Sequence, residues 1–299
     1  MLLQALSRTR LVYCAARYAS TVTTGRSTEA EEGSVTADLR EFFLNPDHWI
    51  YSSKGTPSWI NPDSVYHISQ LQVLFEDRHF HLLTYRAIQE LKESGFLRSE
   101  TVKTDVETFI VVWRSGVRYV RRAIKAHVTL AAEYSSQLIS KATGDYAETL
   151  ALLGLRGLGL TLVDRNTRSY RHKTWTESEH DLDFVVEKDG RAYGVEVKNT
   201  LDYMPRDELD IKIALCQHLG IRPLFIVRNR DKIQWDKMQE AGGLLYIFKS
   251  KIFPPGQEPL VQRIWKEMRL PVAIWRDWHG QFYNTIADFI NQRWVDIYS

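Results

Sequence analysis

Cysteine is nearly missing from this chain, since Cys14 and Cys216 are the only two among 299 residues. They form neither a disulfide framework nor a zinc-ligand spacing, so the expected setting is reducing and intracellular, cytoplasmic or nucleoid. A surplus of one charge is also lacking. With a formal net charge of +2, affinity for an acidic polymer must come from where the cations sit, not from bulk basicity. Long hydrophobic runs are absent too. The longest, around "LALLGLRGLGL", is interrupted by Arg156 and glycines, so no membrane partner is expected. There is no internal repeat, no low-complexity tract and no ATP or helicase motif, which leaves no nucleotide-driven partner domain in the chain.

What is present divides into four stretches. Residues 1–28 carry Arg8, Arg10, Arg17 and Arg26 and no acid before Glu29. Such a segment resembles an organellar transit peptide, which gives a mitochondrial alternative for location; a disordered basic arm is the other reading. Residues 29–63 are aromatic-rich and are expected to be extended, pinned to a domain by Phe42, Phe43, Trp49 and Trp59. Over 64–139 the order is helix ("VYHISQLQVLFED"), helix ("HLLTYRAIQELKESG", stopped by Gly95) and hairpin ("FLRSETVKTDVETFIVVW"). That order resembles a winged helix, a mainly helical module whose second helix enters the major groove while its hairpin touches the backbone.

After the hairpin, "RSGVRYVRRAIKAHVTLAAEYSSQLISK" reads as one long helix. Arg114, Arg118, Arg121, Arg122 and Lys125 then share one face, and no acid lies between Glu107 and Glu133. A solvated face normally mixes both signs, so these cations are candidate phosphate contacts. Residues 140–299 alternate helices and strands as an α/β domain does, closing with a helix whose buried stripe is Phe282, Ile286, Phe289 and Trp294.

The candidate chemistry lies in "DLDFVVEKDGRAYGVEVKNT", two strands joined by an Asp-Gly turn. Period-two geometry sets Glu196 and Lys198 on one side and Val195 and Val197 on the other. Asp183 comes from the preceding strand, and Glu148 lies on an apolar helix stripe with Leu152 and Leu155. Three converging carboxylates repel one another unless a cation holds them, and an all-oxygen set favours Mg²⁺ or Mn²⁺. A lysine beside such a cation suits phosphodiester hydrolysis, where it orients the attacking water or stabilises the transition state.

Strand Asp, hairpin, strand Glu-x-Lys, then a helix and a short buried strand resembles the PD-(D/E)xK nuclease superfamily over roughly residues 140–250. The resemblance implies a restriction-endonuclease-like core, an α/β mixed sheet flanked by helices. It implies Asp183, Glu196 and Lys198 as catalytic residues, with Glu148, Asp183, Glu196 and the Val197 carbonyl as metal ligands. The family's proline is replaced by Leu182, a departure many members share. The implied activity is metal-dependent cleavage of DNA, with a homodimer where both strands are cut. A non-catalytic DNA-binding protein on the same scaffold and an RNA-directed nuclease are the alternatives. The acid-x-Lys pattern also occurs at Glu90–Lys92 and Asp210–Lys212, both in expected helices, where residues two apart do not share a face. Lys212 and Gln217 on the helix after the motif, and Arg228 closing "PLFIVR", are secondary candidates. Asp181 reads as solvated, and the basic loop Arg168, Arg171, His172 and Lys173 as a border to DNA or as plain surface.

Overall fold

The computed structural model describes residues 29–45 and 64–291. The stretch 1–28, Trp49, Trp59 and Trp294 lie outside the described residues. The first described element, α1 (Glu29–Leu44), is a helix and not the extended segment expected. Its Val35, Leu39, Phe42 and Phe43 recur at helical spacing and are all buried. Phe42 packs edge-on against Tyr66 and Phe75, with ring centroids 5.1 and 5.4 Å away. Phe42 and Phe43 therefore do anchor residues 29–44, but from a helix.

Next come β1 (Tyr66–His67), α2 (Ile68–Phe75), α3 (His81–Glu93) and the hairpin β2 (Leu97–Lys103) and β3 (Thr108–Arg114). β3 pairs antiparallel with both β1 and β2, giving a three-stranded sheet in the order β1-β3-β2.

The long cationic helix breaks into pieces. Arg114 closes β3, and the chain then turns through Gly116 (φ 96°) and Tyr119 (φ 61°). Only then does α4 (Arg121–Ser135) begin. Ser136 leaves the helical conformation and its side chain caps α5 (Gln137–Gly157) by accepting from the Ile139 N–H. Arg114 and Arg118 are thus not helical, so the single cationic face is corrected to a strand end, a loop and the first turn of a helix.

The larger sheet has five strands: β4 (Thr161–Thr167), β7 (Leu182–Lys188), β8 (Arg191–Lys198), β9 (Arg222–Val227) and β10 (Leu244–Ile247). Their order is β10-β9-β8-β7-β4; β4, β7 and β8 are antiparallel, whereas β8, β9 and β10 are parallel. At the β7–β8 turn Asp189 and Gly190 both have positive φ (52° and 74°), the conformation that a tight Asp-Gly hairpin demands. On one face, Phe184, Val186, Val195 and Val197 pack with α5 and with α9 (Gly280–Asn291). On the other, Leu182, Val185 and Phe225 pack with α6 (Arg206–Leu219) and α7 (Lys232–Glu240). A Cβ at Gly194 would stand 2.6 Å from Cys216 Sγ, so glycine there is what lets α6 close on β8. The result is an α/β arrangement with a mixed sheet flanked by helices.

Smaller elements complete the chain: β5 (Ser169–Tyr170) pairs with β6 (Lys173–Thr174), and β11 (Lys251–Phe253) with β12 (Val272–Ile274). Between the latter, α8 (Glu258–Arg263) runs into a π-helical turn (Ile264–Met268). These join the two sheets through β11: Phe253 shares an apolar cluster with Val111 of β3 and Val128 of α4, and Ile252 lies in the cluster of Val195 and Val197. The expected boundary between residues 139 and 140 falls inside α5. Among the described residues, no helix is long and apolar enough to cross a membrane.

Candidate active site

Strand alternation positions the first three groups. Val195 and Val197 point into the cluster shared with α5 and α9, so Glu196 and Lys198 face α6. Asp183 on β7 joins them, its Oδ2 accepting the Val197 N–H at 2.6 Å. Glu196 is 2% exposed. Its Oε2 accepts from Lys212 Nζ at 2.7 Å, and Lys198 Nζ stands 3.6 Å from its Oε1. Lys212 also donates to the Asp181 carbonyl. Lys198 donates to Glu208 Oε1 at 2.6 Å. Glu208 and Lys212 lie four apart on α6, so one helical face presents an acid to Lys198 and a cation to Glu196.

Glu148 arrives from α5, which packs on the valine face of the sheet, and is ion-paired with Arg165 of β4 at 3.6 Å. It acts on the other two acids through its field. Burial raises Asp183 to about 6, the Val197 N–H opposes that, and the charge of Glu148 adds to it. Burial and then the charge of Asp183 raise Glu196 to about 7, against Lys212 and Lys198. Glu148 is raised by burial, against Arg165, with Glu196 among the charges that add. Burial works against a charged Lys198, but the Glu208 hydrogen bond and the Glu196 and Glu208 charges outweigh it, so its pKa is raised and the ammonium is held charged. Two lysines thus leave Glu196 and Asp183 under-compensated.

Among the described residues no three His, Cys, Asp or Glu side chains stand as close as a formed metal site requires. Part of the counter-charge is carried by the Lys212 ammonium. The donor chemistry nevertheless fits a hard cation: the carboxylates of Asp183, Glu196 and Glu148 and the Val197 carbonyl are all oxygen.

The sheet carries this site on a rigid end. Directly after Lys198, Asn199 donates to the carbonyls of Thr143 (2.9 Å) and Ile252 (2.7 Å) and accepts the Ile252 N–H (2.7 Å). The strand carrying Glu196 and Lys198 is therefore fastened to α5 and β11 at once. Glu208 and Asn199 escape a motif search; the Glu208–Lys212 spacing was the available signal for the first, and nothing local marks the second.

Other candidates separate. Arg228 is not available to phosphate as folded. Its side chain is 0% exposed and forks onto Glu76 at 2.5 and 2.8 Å. It also donates to the carbonyls of Thr200 (2.9 Å) and Leu201. Gln217 is exposed on α6. Arg168 pairs with Glu179 and Arg171 with Glu187, which accounts for part of that loop's charge. Arg121 is held by Glu100 from β2 at 2.8 and 2.9 Å, a counter-charge that sequence spacing did not show. Arg118, Arg122 and Lys125 are exposed. The outward residues of α3 are mixed, with Leu82, Tyr85, Arg86, Glu90 and Glu93 exposed. The basic surface thus follows the hairpin and does not lie on α3.

No protein-family model matches the chain, and neither a curated protein nor a solved structure matches it significantly.

Proposed function

We propose that the protein is a metal-dependent nuclease that hydrolyses DNA phosphodiester bonds, built on a restriction-endonuclease-like core. One observation carries the reading: half-buried Asp183 and buried Glu196, from the two strands of one hairpin, both have raised pKa values, with a charged Lys198 on the same face. Folding gains nothing from placing like charges together in a low-dielectric interior. A divalent cation removes the penalty. The strand order and the helices flanking the sheet are compatible with that core, and helix–strand–helix–helix–strand–strand with sheet order β1-β3-β2 is compatible with a winged helix.

In this reading Asp183, Glu196, Glu148 and the Val197 carbonyl hold Mg²⁺ or Mn²⁺. When bound, the ion supplies Lewis acidity toward a phosphoryl oxygen and lowers the pKa of water. The chain's own groups do the rest. Lys198, its Nζ steered by Glu208 and Glu196, orients the attacking water and offsets charge developing on the phosphate. The Val197 N–H fixes the Asp183 carboxylate. Lys212 neutralises Glu196 and holds the Asp181 strand end, acting as a positioning residue. Arg118, Arg122 and Lys125 meet the DNA backbone.

The test is Mg²⁺-dependent cleavage of plasmid and branched DNA by the full chain. Lys198→Ala is expected to lower cleavage at least roughly 100-fold, and Asp183→Asn to abolish it, with both variants folded by circular dichroism. Cleavage that survives both substitutions removes the proposal. A non-catalytic DNA-binding protein on this scaffold would bind DNA and cleave none.

A further inference from the structure

We infer that Tyr119 is a stacking platform for an unpaired DNA base, set within the cationic patch of Arg118, Arg122 and Lys125. The inference rests on the nuclease reading and names its substrate class: DNA presenting single-stranded nucleotides, such as a flap, gap or junction.

Tyr119 is 94% exposed, so its ring contributes almost nothing to the core. It also sits at φ 61°, a left-handed conformation that a bulky side chain rarely adopts. Packing does not explain either property. The flanking residues do pack, since Val117 and Val120 rest against the apolar cluster of α4 and α8. The loop is thus anchored on both sides of a ring that is presented to solvent.

The neighbouring charges point the same way. Arg118, Arg122 and Lys125 are exposed and enter no ion pair among the described residues, whereas Arg121 is already satisfied by Glu100. Arg121 and Arg122 occupy the first turn of α4, where the helix dipole disfavours cations, so helix stability does not account for them. An exposed aromatic ring interleaved with cations suits a single strand, whose bases stack on the ring while phosphates meet the cations. In a continuous duplex the bases stack on one another, and the ring has no partner. An apolar protein partner would leave the cations unanswered.

The experiment uses the full chain with EDTA present, at one fixed salt concentration. It measures by fluorescence anisotropy the affinity for a labelled thymidine oligomer and for a blunt duplex of equal length. Tyr119→Ala is expected to weaken single-strand binding about tenfold and to leave duplex binding unchanged, while Tyr119→Phe binds as the parent does. Tyr119→Gly is expected to lose single-strand affinity equally without a fall in thermal midpoint, because glycine suits this backbone conformation. Parental single-strand affinity in Tyr119→Ala, or an equal loss on duplex, overturns the inference. Tyr119-dependent single-strand binding without Mg²⁺-dependent cleavage supports the stacking and removes only the nuclease reading. Cleavage with Tyr119-independent binding removes the stacking alone.

Discussion

Replacing Arg228 by methionine tests whether this arginine joins the two halves of the molecule or serves DNA. Its guanidinium is fully buried and forks onto Glu76, itself 5% exposed, at the C-terminal end of α2. Two further donations satisfy the Thr200 and Leu201 carbonyls beside the motif strand. Methionine preserves most of the aliphatic stem, so little cavity is made. What is lost is the one charge that, among the described residues, faces this buried carboxylate at hydrogen-bond distance, together with a partner for two carbonyls. Breaking a buried pair in this way costs about 3–5 kcal/mol, a large share of the roughly 5–15 kcal/mol that holds a typical domain. Urea unfolding followed by tryptophan fluorescence reads the loss. Because most of the cost is the stranded Glu76 charge, Glu76→Gln combined with Arg228→Met is expected to be more stable than Arg228→Met alone. A loss below about 1 kcal/mol, or double-variant losses that simply add, would refute the reasoning. So would a purely DNA-binding defect with unchanged stability.

Three other outcomes follow from the same geometry. Asp183→Asn should raise the melting midpoint at pH 8 and change it little at pH 4. The acid's folded pKa of about 6 lies above its ordinary 3.8, so its contribution is most favourable below that ordinary value and is lost as pH rises through 6; differential scanning fluorimetry checks it. Mg²⁺ should then raise the midpoint of the parent protein more than that of Asp183→Asn. His127, buried against His67 at 2.9 Å, is depressed by burial from 6.5 to about 4. The stability it lends is present above pH 6.5 and is lost as pH falls toward 4, about 2 kcal/mol between pH 7.5 and 5; His127→Gln should flatten that slope in denaturant titrations.

Local chemistry made much of the α/β half legible. The β7–β8 hairpin follows from two-residue alternation and an Asp-Gly turn, and the α/β order follows from the change of hydrophobic period between segments. Helix α1 was open to the same reading, since Val35, Leu39, Phe42 and Phe43 have helical spacing, but the prolines and aromatics further along the segment suggested an extended chain. The cations from Arg114 to Lys125 have helical offsets that the backbone does not honour, because Gly116 and Tyr119 take left-handed conformations. Within the site, Asp183, Glu196 and Lys198 meet as the strand period requires. The tie between Arg228 and Glu76 spans 152 residues and has no local signature. Lys212 reaching Glu196 depends on how closely α6 approaches β8, which Gly194 permits and no motif encodes.

The most direct measurement is a crystal of the full chain soaked in Mn²⁺ at pH 8, with anomalous scattering recorded at the manganese edge. A single strong peak bounded by the carboxylates of Glu148, Asp183 and Glu196 is the expected result. No peak there, with Lys212 still seated on Glu196 under saturating Mn²⁺, would contradict it.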